Sequence, residues 1–197
     1  MHGPDAGGFW ALVAVWWGMM AVMMLPVTWP WLRALGRLSS SSGGRAATLP
    51  AIVVPSFAAG YLVVWLAFSL CAAALQVLLL SQGSASPALR SGVLAVAGVY
   101  QFTPLKTACL EHCRSPLSVL LSRWPLGGPG ALRLGVEHGL FCLGCCWALM
   151  LVALGAGALG WAWMAALTSL VAVEKLARPG PKVARWAGVA LLGLALL

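Results

Sequence analysis

Three groups of residues in this chain have types and spacing that could do chemistry, and all are soft donors in apolar surroundings. The run from Glu137 to Cys146 carries His138, Cys142, Cys145 and Cys146, the first three at i, i+4 and i+7. On a helix these share one face, with Cys146 beside them. A second group, Cys109, His112 and Cys113, lies one segment earlier, and a methionine quartet, Met19, Met20, Met23 and Met24, sits in the first apolar run. Thiolate and thioether ligands select Cu(I), zinc or iron–sulfur clusters, whereas carboxylates alone suit magnesium or calcium. Methionine beside cysteine points to copper as Cu(I), with zinc as the second candidate.

Each group also has a plainer reading. Methionine in an apolar helix is commonly packing, and a buried cysteine behaves as a small hydrophobe. The Cys142–Cys145 spacing is also that of a thiol–disulfide redox pair. Glu137 stands four residues after Arg133, a helical salt-bridge spacing. Glu174–Lys175 reads as an interfacial pair, and His2 carries no role. No Walker loop, nucleophile elbow, hydrolytic carboxylate pair or haem-attachment motif is present. The balance is against an enzyme, and the Cys142–Cys145 pair keeps an oxidoreductase open.

The elements that must position these residues follow from composition. Of 197 residues 61% are hydrophobic and 8% charged, a balance that excludes an ordinary water-soluble fold. The expected class is all-α: one integral membrane domain over residues 1–197, a polytopic transmembrane helical bundle of five to six spans. The spans are placed at about 9–32, 50–80, 88–108, 131–154, 159–176 and 186–197. Residues 1–8 hold no Lys or Arg, so no basic signal-peptide region precedes the first run, which is read as a retained span. Pro26 and Pro30 are expected to kink or end it, with Trp29 and Trp31 as interfacial anchors. Glycines 155, 157 and 160 are small enough for close helix packing. The last run is a dozen residues, which fits a re-entrant piece or a chain that continues.

The net charge of +8 comes from basic residues between apolar runs, a topology signal rather than a nucleic-acid surface. Eleven of the twelve Lys and Arg fall after segments one, three and five, and Arg90 alone follows segment two. The positive-inside rule then makes that side cytoplasmic and leaves the N-terminus outside. Cys109, His112, Cys113, Glu137 and His138 fall at the cytoplasmic rim. Cys142 lies roughly 16 Å beyond the start of its span, level with the methionines, Tyr100 and Gln101. Two ligand layers are expected. A Cys109–Cys113 disulfide is disfavoured on a reducing side.

Several blocks together resemble a known family. They are Met19-Met20-Ala21-Val22-Met23-Met24-Leu25-Pro26, Gly60-Tyr61 with Trp65, and Tyr100-Gln101-Phe102-Thr103-Pro104-Leu105-Lys106 with Cys109-Leu110-Glu111-His112-Cys113-Arg114. Gly135-Val136-Glu137-His138-Gly139, Cys142-Leu143-Gly144-Cys145-Cys146-Trp147 and Glu174-Lys175 complete the set. These are similar to the bacterial predicted metal-binding integral membrane proteins, a family defined as a domain of unknown function. Glu137 departs from that family's basic residue at the same place. The resemblance implies a multi-pass protein of the bacterial inner membrane.

Three functions follow as expectations. The first is binding of a soft metal, copper foremost, for homeostasis, transfer or loading of a partner metalloprotein. The second is an accessory structural subunit of a larger membrane complex, and the third a membrane thiol–disulfide oxidoreductase. The lipid bilayer is the expected surrounding and no nucleic acid is expected as partner.

Overall fold

In a computed structural model, which describes residues 6–41, 49–81, 87–122, 127–155 and 161–196, the chain forms eight helices and no strand among those residues. They are α1 (Ala6–Ser41), α2 (Leu49–Ser81), α3 (Pro87–Tyr100), α4 (Pro104–Arg114), α5 (Pro116–Ser122), α6 (Gly127–Gly155), α7 (Trp161–Leu176) and α8 (Gly180–Ala195).

By length and apolarity α1, α2 and α6 can each cross a membrane, and α3 with α4 could make a fourth, broken span. The two 16-residue helices α7 and α8 extend only about 24 Å each. The expected first span ends too early, because α1 runs on through Pro26 and Pro30 to Ser41. A proline removes one i−4 hydrogen bond, and packed neighbours let an apolar helix tolerate that loss. The third segment is two helices bent by 65°. Thr103 produces the break: its Oγ1 accepts from Lys106 N at 3.3 Å as the α4 N-cap, with Pro104 at the first helical position. The stretch between the expected spans 88–108 and 131–154 contains α5. The last helix starts at Gly180, so Lys182 and Arg185, expected in a loop, lie in its first turns.

Helix α6 is the hub, packed on α2, α3, α4 and α7. Its contact with α2 is the closest approach. A Cβ on Gly60 would fall on the Leu132 carbonyl, and one on Gly135 on the Phe57 carbonyl. Gly139 meets Val64 in the same seam. These are the glycines that permit close packing; residues 157 and 160 lie outside the described residues. Trp31 is no interfacial anchor. It is buried, and its Nε1 donates to the Cys113 carbonyl at 2.9 Å. Trp29 is exposed and carries the Arg33 guanidinium 5.0 Å from its ring.

Candidate functional site

The α6 face predicted from spacing is a buried face. His138, Cys142, Cys145 and Cys146 are each 3% exposed or less. The second group comes from α4, where Cys109 and Cys113 are both 7% exposed and point at the same core. All four quartet methionines on α1 line that core too.

Cys142 is the centre. The Cys113, Cys145 and Cys146 side chains are its neighbours in the same buried core. The Tyr61 hydroxyl of α2 lies 3.0 Å from the Cys142 Sγ, and Lys175 Nζ of α7 donates to the sulfur at 2.7 Å. The Cys145 and Cys146 thiols also donate to the Cys142 carbonyl, at 3.1 and 2.9 Å, the back-bond that short polar side chains make inside helices. Thus Cys113, expected at the rim, meets Cys142 and Cys145, expected deeper. The residues of the two expected layers share one buried core. Helix depth counted along a straight segment missed this because α4 turns away from α3 by 65°.

Cys109 sits beside the four thiols, against Gly144, where a Cβ would come within 2.7 Å of its Sγ. The Gly144 carbonyl accepts from the Tyr100 hydroxyl. His138 lies in an aromatic box, with ring centroids 4.1 Å from Trp31, 5.7 Å from Phe57 and 5.6 Å from Tyr61. Its Nδ1 is buried without a hydrogen-bond partner. His112 stacks on Phe141 at 3.7 Å and stands 6.5 Å from His138. Among the described residues no group of three or more His, Cys, Asp or Glu is placed to hold a metal ion. The cysteines are all free thiols.

A second buried polar set lies alongside. Lys106 Nζ pairs with Glu174 Oε2 at 2.8 Å, with both side chains 2% exposed or less, and also donates to Gln101 Oε1. Arg114 donates to the Glu174 carbonyl at 2.7 Å. Glu174 and Lys175 are therefore not an interfacial pair: both are buried, and each reaches a different helix. Lys106 and Lys175 count above as topology charges, and Glu174 as Lys175's interfacial partner, whereas all three are buried. The signal that could have found them is a charge embedded in an apolar segment, which requires a partner. The expected Arg133–Glu137 pair is present at 3.2 Å on the exposed side of α6.

Comparison with family models matches residues 13–197 to the family described as copper chaperone, PpoB2. No curated protein and no solved structure matches the chain. The family thus carries a functional description where the sequence resemblance supplied only a predicted metal-binding label. With the match spanning nearly the whole chain, the protein belongs to the PpoB2 copper chaperone family.

Proposed function

We propose that the chain is a multi-pass protein of the bacterial inner membrane that takes up Cu(I) at the Cys142 thiol cluster and hands it to a partner metalloprotein. The observation that carries this reading is the meeting of Cys113 from α4 with Cys142, Cys145 and Cys146 from α6 in one buried core. Soft sulfur donors in a water-poor site favour a soft monovalent ion. Two thiolates suffice for Cu(I), whereas structural zinc takes a closed set of four ligands. Met19, Met20, Met23 and Met24 add a thioether wall to the same core, a low-affinity surface along which the ion can move. Cys109, His112 and His138 flank the cluster and serve as secondary donors.

The test is anaerobic Cu(I) loading of detergent-purified protein, followed by elemental analysis beside a Cys142→Ser/Cys145→Ser variant. The wild type is expected to retain about one copper per chain, lost in the variant. A wild type that retains no copper after loading overturns the reading and favours the structural-subunit alternative.

A further inference from the structure

Lys175 is 7% exposed on α7 and its Nζ lies 2.7 Å from Cys142 Sγ. The carboxylate next to it in sequence, Glu174, is already engaged with Lys106 on α4 at 2.8 Å. The groups facing the Lys175 ammonium are the thiols of Cys142, Cys145 and Cys146 from α6 and Cys113 from α4, with the Tyr61 hydroxyl and the His138 ring beside them. We propose that Lys175 is a fixed internal counter-ion that makes the thiol cluster specific for a monovalent soft cation over a divalent one.

The inference rests on the metal-binding reading above and names the specificity determinant of that site. When Cu(I) binds two of the sulfurs as thiolates, two Cu–S bonds form, any proton those sulfurs carry leaves to solvent as its S–H bond breaks, and copper is unchanged in oxidation state. The copper bis-thiolate carries one negative charge, and the Lys175 ammonium brings the buried site to zero. A divalent ion on the same two thiolates leaves one positive charge, and on four thiolates one negative charge. An uncompensated charge in a low-dielectric interior costs several kcal/mol. Three thiolates would balance a divalent ion, but no group of three or more such ligands is arranged to hold one among the described residues. Lys106 does not substitute for Lys175, since its charge is already matched by Glu174.

Charge can be separated from softness with silver and cadmium, which are both soft but differ in valence. On the purified wild-type chain Ag(I) is expected to displace Cu(I) readily, while Cd(II) and Zn(II) do not. The Lys175→Met variant should lower the Cu(I)-over-Cd(II) affinity ratio roughly a hundredfold or more. Lys175→Arg, which keeps the charge, should retain the preference. The Lys106→Met/Glu174→Leu double variant, which removes a buried pair away from the thiols, should leave the ratio unchanged. Cd(II) that competes with wild type as well as Ag(I) does overturns the proposal, even where Lys175→Met fails to fold. So does a folded Lys175→Met variant with the wild-type ratio. In both cases copper binding itself stands. Wild type that binds neither Cu(I) nor Ag(I) overturns the metal-binding reading, and this inference with it.

Discussion

At the residue scale, the six cysteines are not equivalent. Cys142 touches four helices' worth of partners, including Cys113, Tyr61 and Lys175, whereas Cys71 is exposed on α2. Cys142→Ser should abolish copper retention, and Cys71→Ser should leave it at the wild-type level, both read by elemental analysis after Cu(I) loading. Equal loss in the two variants would mean that the buried cluster is not the site. The charged residues divide in the same way. Arg133 and Glu137 form an i,i+4 pair with Arg133 largely in the open, and such pairs contribute about 0.3–0.5 kcal/mol. Lys106–Glu174 is buried at both ends. Removing one partner there strands a charge, so Lys106→Met or Glu174→Leu alone should destabilise by about 3–5 kcal/mol, while the double variant recovers most of it. Denaturant unfolding in detergent as a double-mutant cycle checks this. Additive losses would contradict the pairing.

At the element scale, the helices were legible in the sequence and their neighbours were not. Apolar runs placed α2 and α6 within a few residues of their bounds, because an apolar segment has to satisfy its backbone internally. The break before α4 was legible only in part. Pro104 marked an uncertain end, but the Thr103 cap that turns the chain makes sense only once Cys113 is seen against Cys142. Spacing correctly gave the shared face of His138, Cys142 and Cys145, a local property of one helix. It could not supply Lys175 or Tyr61, which arrive from α7 and α2 through inter-helix packing. That packing depends on the α2–α6 seam, where Gly60 and Gly135 stand against backbone carbonyls. Gly135→Ala should force the helices apart, lowering thermal stability in detergent and copper retention together, since carbonyls cannot move aside as side chains can. Gly18→Ala, with nothing within 4 Å of the added Cβ, should be neutral or raise stability by roughly 0.5–1 kcal/mol through helix propensity. If Gly135→Ala is as benign as Gly18→Ala, the seam is looser than this packing requires.

At the scale of the whole molecule, the burial of Lys106 and Lys175 changes the topology argument. Both had counted among the eleven cytoplasmic charges, yet both sit inside the helix bundle with partners. A buried, paired lysine is committed to its partner and does not mark the surface where a loop emerges. The nine that remain are Arg33, Arg37, Arg45, Arg114, Arg123, Arg133, Arg178, Lys182 and Arg185, against Arg90 on the opposite side. The asymmetry survives, so the charge count still supports the orientation we propose, with the N-terminus outside. In that orientation α4 and the start of α6 lie towards the cytoplasm, so the thiol cluster is reached from the reducing side, where thiols persist and Cu(I) is the stable form of copper. The orientation is tested with a membrane-impermeant maleimide on intact cells, in a Cys71→Ser background. Ser84→Cys, between α2 and α3 in sequence, should label, and Ser42→Cys, between α1 and α2, should label only after the membrane is opened. The reverse pattern would invert the protein. The cluster would then be loaded from the oxidising face, where a free Cys142–Cys145 pair is exposed to disulfide formation and the redox reading gains the advantage that orientation now denies it.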